Sequence, residues 1–378
     1  MNDKIDIIMV AMNHVDLTMK ALESLVAYTD KDNYRLIFMD NASSDTTKEK
    51  VIEFLEKHDI DYFYKRFETN QGWIEVINHG YKISDAEFVL TCHNDIKFCK
   101  QWLENMIRRF QDKNVAAVGP VITFAMGLQS ANVAYQTLGY DVKFLLGLFF
   151  LARKSALEVV KYDSGDYLHS DYGLGDKEEI ELCYRLREAG YKFEIARDVL
   201  IEHEGEKAFV DALGSPDKFH EYQKTQGEIL EKRIGKDAVQ QMFTPEMKNP
   251  IKLLVGIPTR THHVHFYFMM SLLALYRHTS MYIETYHFPR GMIADSRNAM
   301  CKKALEGDFT HVLMIDDDMM FEGDTLTKLF LHDVDICSGV AFQRVAPYLP
   351  SAFFYNEKED IFNFVDVSGV SGLFPVDA

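Results

Sequence analysis

An α/β protein of two tandem domains, each built on a mostly parallel sheet, is predicted by three observations. Short apolar strands alternate with amphipathic helices over the first 205 residues. Acids recur where those strands end. After residue 250 the strand-helix alternation starts again, as a diverged repeat of a whole domain. The expected layout is a domain at 1–205, a helical connector at 206–249, and a second domain at 250–378 that is expected to be incomplete.

Each element has a local reason. Residues 5–12 (IDIIMVAM) read as a buried strand, and Leu17, Ala21, Leu22 and Leu25 then recur at helical spacing. Arg35 to Asp40 is an apolar strand ending in an acid, followed by a polar turn (NASSDTT), a helix near 48–57 and a strand at 61–65. Residues 70–83 are a glycine-containing entry to a helix, and 88–92 form a strand that runs into His93, Asn94 and Asp95. Trp102, Leu103, Met106, Ile107 and Phe110 have the spacing of a helix packed on the sheet. The apolar run 144–152 is too short to span a bilayer, which takes roughly 20 residues, and reads as a fully buried strand.

In the connector, Ser215 caps a helix with Pro216 in its first turn that continues to about Arg233. The second domain then offers a strand after Pro250, a helix at 266–276, a strand at 281–288, a helix at 294–305, and HVLMI running into Asp316, Asp317 and Asp318.

Composition excludes several functions. Lys plus Arg is 41 against 58 Asp plus Glu, a net charge of −17, which disfavours extended contact with a nucleic-acid backbone. Five cysteines without a Cys-x-x-Cys pair fit neither a disulfide framework nor a zinc site and point to a reducing compartment. The acidic N-terminus is unlike a signal peptide. A cytoplasmic location is expected, including the inner face of a membrane, where Lys100, Arg108, Arg109 and Lys113 can meet anionic lipid. The first turn, Asn13-His14-Val15-Asp16, lacks glycine, and neither G-x-G-x-x-G nor G-x-x-x-x-G-K-[ST] occurs. A dinucleotide oxidoreductase and a P-loop enzyme are therefore disfavoured.

In order along the chain stand Asn13, Asp40-Asn41-Ala42-Ser43-Ser44-Asp45, Asn70-Gln71-Gly72 with Asn78, Asn94-Asp95, Glu178-Glu179 leading through Leu182, Arg185 and Leu186 to Gly190, and His203. This ordered set resembles the inverting family 2 of nucleotide-sugar-dependent glycosyltransferases, over roughly residues 5–205. The resemblance implies the GT-A fold, a Rossmann-like mostly parallel sheet, in two tandem copies. It also implies a metal-assisted transfer from a nucleotide sugar, a UDP-sugar by preference, to a glycan, glycolipid or glycoprotein.

The residues themselves suit that chemistry. Displacing a nucleoside diphosphate needs charge neutralisation on its phosphates, which Mn²⁺ or Mg²⁺ supplies. Asp95 at a strand end is a hard oxygen ligand and His203 adds an imidazole. The resemblance makes Asp95 the surviving acid of a degenerate D-x-D motif, here His93-Asn94-Asp95, with His93 replacing the first acid. It assigns donor contact to Asn13, Asp40, Asn70, Gly72, Asn78, His93 and Asn94. Asp40 equally suits an Asx-type turn cap.

An inverting transfer needs one general base. Alignment through the downstream helix gives that role to Glu179, with Glu178 as the preceding member, although the family has Asp where Glu179 stands. Acids in a first helical turn also complement the helix dipole with no catalytic part. In the second domain the same reasoning selects Arg260, Arg297, Asn298 and Asp316 for donor binding and Asp318 for metal. His262, His263 and His265 read as exposed or ligand-contacting rather than as a metal cluster.

Two rival readings remain. A sugar-phosphate nucleotidyltransferase needs a glycine-rich N-terminal loop that Met9 to Thr18 lacks. A noncatalytic glycan-binding or scaffold module is kept alive by the His93 and Glu179 departures.

Overall fold

The computed structural model describes residues 4–205, 214–248, 250–259, 264–277, 281–289, 293–331, 353–356 and 361–364. The chain divides into two compact units, residues 1–250 and 251–378.

In the first unit, the apolar run at the N-terminus forms β1 (Ile5–Ala11), buried along its whole length because both faces of the sheet are covered. The helix α1 (Val15–Tyr28) leads to β2 (Tyr34–Asp40), α2 (Thr47–Lys57) to β3 (Tyr62–Arg66), and α3 (Gly72–Ile83) to β4 (Phe88–His93). Then follow the two-residue β5 (Ile96–Lys97), α4 (Trp102–Ile107), β6 (Val115–Ile122), β7 (Phe149–Arg153), α5 (Lys154–Val160), α6 (Glu178–Glu188) and β8 (Lys192–His203). The sheet order is β3-β2-β1-β4-β7-β6-β8-β5. β1 lies parallel between β2 and β4, whereas β7 runs antiparallel to β4 and β6. The sheet is mixed but mostly parallel.

Two details explain how this sheet is held. Asp6, only 2% exposed on β1, faces Arg35 in register on β2, and the guanidinium forks onto its two oxygens at 2.8 and 2.7 Å. The charge is therefore paired where it is buried. Trp102 on α4 is fully buried, and its indole N–H donates to Thr29 Oγ1 at 2.8 Å.

The strand expected at 144–152 forms only from Phe149. β7 pairs with β4 from Phe88↔Arg153 to Cys92↔Phe149, His93 N still donates to Leu148 O at 3.1 Å, and β4 ends there, so the ladder does not extend to residues 144–147. That freed segment is available to line a cleft. β6, β8 and α5 had no clear signature in the sequence.

The expected connector supplies α7 (Pro216–Ile234) and α8 (Lys236–Phe243), with the Ser215 hydroxyl accepting from Lys218 N as its cap. Leu230 and Met242 are buried in the core of the first unit. These helices thus belong to the first compact unit.

In the second unit, β9 (Lys252–Thr259), α9 (Phe266–Arg277), β10 (Tyr282–Pro289), α10 (Ile293–Glu306), β11 (His311–Met314) and α11 (Thr325–Leu331) follow one another. Its parallel sheet has the order β10-β9-β11, which repeats the β2-β1-β4 arrangement of the first unit. Leu253, Val255, Ile257, Phe268, Leu272 and Leu275 form its core. A hairpin of β12 (Phe353–Asn356) and β13 (Ile361–Phe364) is a separate ladder. Among the described residues no helix is long and apolar enough to cross a membrane.

Candidate active site

The carboxyl ends of the parallel strands open onto a cleft of about 620 Å³. In such sheets this rim is where ligands bind, because loops diverge there and leave a crevice.

The backbone brings Asp95 and His203 together across this rim. β5 pairs antiparallel with the end of β8, placing Ile96 opposite His203, and Glu204 N donates to Asp95 O at 3.0 Å. His203 Nε2 lies 3.4 Å from Asp95 Oδ2, and His93 Nδ1 lies 3.8 Å from Asp95 Oδ1. His203 Nδ1 donates to the Phe124 carbonyl at 3.0 Å, which turns Nε2 toward Asp95. Asp95 Oδ1 is buried with no hydrogen-bond partner among the described residues.

Charge states suit a cation. Burial pushes His93 down to about 4, against the pull of Asp95 and with a further push from His203, so its imidazole is neutral near pH 7. Burial raises the Asp95 carboxyl, but the His203 hydrogen bond and the nearby imidazoles outweigh it and hold the group below the usual carboxylate range. An ionised carboxylate oxygen short of a donor, flanked by two imidazoles, fits a divalent metal.

The other side of the cleft is built by a strained turn. Gly175, Asp176 and Lys177 take φ of +117°, +83° and +75° in succession before α6 begins. Asp176 and Lys177 hold a conformation that L-residues rarely adopt, and such strain concentrates at functional sites. The turn delivers Glu178 and Glu179 to the first turn of α6, both lining the cleft.

Glycines let this turn pack tightly. A Cβ on Gly72, whose φ is +76°, would meet the Gly173 carbonyl oxygen at 2.7 Å. Trp73 N donates to Leu174 O at 3.1 Å, so the start of α3 and the turn before α6 are bonded back to back. Trp73 also sets its ring edge-on to His93, with centroids 4.7 Å apart.

The two glutamates resist ionisation. Glu178 is 4% exposed, and burial together with the Glu179 charge pushes it well above the usual range. Burial and then Asp176 push Glu179 up to about 7, with Lys177 pulling the other way. Two adjacent carboxyls in one apolar wall do not both ionise easily.

Not every expected residue reaches the cleft. His93, Asn94, Asp95, Asn70, Gly72, Glu178, Glu179 and His203 line it. Asp40, Asn13 and Asn78 are not among its lining residues, and each is engaged by the protein itself. Asp40 is fully buried; its oxygens accept from Ser43 N at 2.8 Å and Tyr64 Oη at 2.7 Å, so the turn-capping alternative describes it. Asn13 Oδ1 accepts from Ser44 N and Oγ, tying the end of β1 to the next turn. Asn78 donates to Leu168 O and accepts from Tyr167 N and Leu168 N, which uses its amide inside the core.

Sequence reasoning missed Asn41, Trp73, Phe124, Met126, Phe219 and Gln223, all of which line the cleft. Asn41 was legible in principle, since it sits beside Asp40; its amide bonds Asn70 Oδ1 and Gln71 N. Phe219 and Gln223 come from α7 and had no local signal.

In the second unit, Asp316 and Asp318 follow β11, and Arg297 Nη2 lies 4.0 Å from Asp316 Oδ1 with both side chains about half exposed. Asn298 is exposed on α10. Arg260, His262 and His263 lie outside the described residues.

Residues 6–164 match glycosyl transferase family 2. That match lies within the N-terminal unit, which is similar to family 2 glycosyltransferases and has the mostly parallel, Rossmann-like sheet of the GT-A fold. No curated protein matches the chain. Among solved structures, GalNAc-T7 with UDP, GalNAc and Mn²⁺ aligns at 13% identity and a TM-score of 0.45, over 53% of this chain and 44% of that one. This chain therefore spans less than half of the GalNAc-T7 length. The mannosyltransferase PcManGT from Pyrobaculum calidifontis, with GDP-Man and Mn²⁺, aligns at 16% identity and 0.46, over 64% and 73%. S. aureus TarS 1–349 aligns at 14% and 0.45, over 63% and 69%. Likenesses this distant carry no weight for the chemistry of the GT-A domain, which stands on its own cleft.

Proposed function

We propose that the GT-A domain is an inverting, metal-assisted glycosyltransferase that moves a sugar from a nucleotide sugar, a UDP-sugar by preference, to a hydroxyl of a glycan, glycolipid or glycoprotein. The observation that carries this reading is that Asp95 and Glu179 line one cleft. The family match supports the reaction class.

Among the described residues that line the cleft there is no Lys or Arg. A diphosphate must then find its countercharge elsewhere. Asp95, His203 and His93 are the residues that would hold a divalent ion, Mn²⁺ suiting the imidazoles better than Mg²⁺. Bound there, the ion supplies Lewis-acid neutralisation of the leaving diphosphate.

The chain's own groups do the rest. The acceptor oxygen bonds to the anomeric carbon from the face opposite the diphosphate, and the bond from that carbon to the phosphate oxygen breaks, its electron pair leaving with the diphosphate. The hydroxyl proton passes to the Glu179 carboxylate. A base pushed up to about 7 accepts a proton efficiently near neutral pH. Glu178, which keeps its proton more readily, holds the glutamate pair to one negative charge when Glu179 ionises.

For the second unit, the repeated strand order supports donor contact through Arg297, Asn298 and Asp316 and metal contact through Asp318. Four free cysteines among the described residues support a reducing, cytoplasmic setting.

The test is Glu179→Gln. Transfer from a UDP-sugar is expected to fall roughly 10²- to 10⁴-fold, the usual contribution of a general base, while nucleotide binding persists. Unchanged turnover removes Glu179 from the role.

A further inference from the structure

We propose that Phe219 and Gln223 on α7 form the acceptor wall of the cleft and select a neutral sugar ring as the group presented to Glu179. The inference rests on Glu179 being the base. The two residues stand one turn apart on one helix face, and both line the cleft. α7 lies beyond the residues matched by the family, so this wall is a feature of this chain rather than of the matched segment.

The helix is fastened to the elements that aim Glu178 and Glu179. Tyr222 Oη sits between the carbonyls of Tyr172 and Gly175, at 2.8 and 2.9 Å, and accepts from Leu174 N at 3.1 Å. These carbonyls belong to the turn that ends at α6. Farther along α7, Arg233 forks onto Glu181, Nε to Oε2 at 2.5 Å and Nη2 to Oε1 at 2.9 Å, and reaches Asp171 at 3.1 Å. Glu181 is one turn past Glu178 on α6. Both fastenings put Phe219 and Gln223 on the Glu179 side of the cleft, and they hold the wall in place before any ligand arrives.

The chemistry of the wall selects the ligand. The Gln223 amide makes no hydrogen bond to a described residue and offers a donor pair beside an acceptor, which matches adjacent ring hydroxyls. Phe219, 7% exposed, lines the cleft with the part of its side chain that the fold leaves uncovered, an apolar contact for the C–H face of a pyranose. With no Lys or Arg among the described lining residues, and with Asp176 and the ionised form of Glu179 in the wall, an anionic ring is repelled.

Saturation-transfer NMR from protein loaded with UDP and Mg²⁺ to methyl glucoside, methyl galactoside, methyl N-acetylglucosaminide and methyl glucuronide tests this without requiring turnover. Wild type is expected to bind at least one neutral glycoside and to leave the glucuronide unsaturated. Gln223→Ala is expected to weaken that binding about two- to tenfold, the range of one hydrogen bond, and Phe219→Leu to weaken it as well. Lys224→Ala, on the exposed face of α7, is expected to match wild type. Equal binding by wild type, Gln223→Ala and Phe219→Leu, equal saturation of the glucuronide, or no glycoside bound by wild type overturns the proposal. Glu179→Gln is expected to bind glycoside normally, so a failed base assignment and a failed acceptor wall give different results.

Discussion

His203 Nε2 stands 3.4 Å from Asp95 Oδ2 because two residues of β5 pair with the last residues of β8. The contact joins the end of one central strand to the end of an outer one, and it closes the rim of the sheet where the cleft opens. The Phe124 carbonyl, accepting from His203 Nδ1, fixes the ring from behind. A short ladder thus assembles a candidate metal set from residues distant in sequence.

Gly72 is expected to tolerate no side chain. Its φ of +76° costs an L-residue about 1–2 kcal/mol, and the new Cβ meets backbone oxygen at 2.7 Å, an atom that cannot rotate away. Gly72→Ala should lower the thermal midpoint by several degrees and reduce transfer, since the displaced partner is the turn carrying Glu178 and Glu179. Wild-type stability with wild-type transfer would refute the back-to-back packing.

Asp40 is expected to act on stability rather than on the donor. Asp40→Ala strands Ser43 N and the Tyr64 hydroxyl, a loss on the order of 2–3 kcal/mol, measurable as a lower urea midpoint. Nucleotide affinity should stay within about twofold of wild type, since a 1.4 kcal/mol change would already be tenfold. Lost affinity at unchanged stability would restore the donor-contact role.

How much of this was legible in the sequence follows from where each signal resides. The strand-helix alternation of β1 to β4 could be read from periodicity because each element is apolar on the face it buries. Asp95, His203 and the glutamate pair could be read from ordered motifs. The backbone bonds of Asp40 and Asn78 were not legible, because an acid or amide that faces a ligand and one that satisfies buried backbone look alike in one dimension. Phe219 and Gln223 were invisible for a different reason: an apolar and a polar residue one turn apart on a helix have no meaning until Tyr222 and Arg233 fix what that helix faces.

The pH dependence of stability has a definite sign. Glu178 has a folded-state value raised by burial, so below the ordinary carboxylate range both states are protonated and nothing is lost. As pH rises past that range the unfolded chain ionises while the folded one resists, and stability declines until the folded group ionises too. Glu178→Gln removes this decline, so its thermal midpoint should gain on wild type between pH 4 and pH 8. A constant difference across that interval would contradict the burial of the charge.

Activity should rise with pH through about 7 as Glu179 becomes ionised and able to accept the acceptor proton. The rate at saturating substrates, measured from pH 5 to 9, reports this limb directly. A flat profile over that range, with chemistry limiting, would rule out a carboxylate base of this kind.

Calorimetric titration of UDP into wild type and Asp95→Ala, each with Mn²⁺ and with a chelator, tests most directly whether a cation at Asp95 supplies the countercharge that the described lining residues lack. Binding confined to wild type with Mn²⁺, and lost in Asp95→Ala or with chelator, is the predicted result. Equal UDP affinity under all four conditions would contradict it.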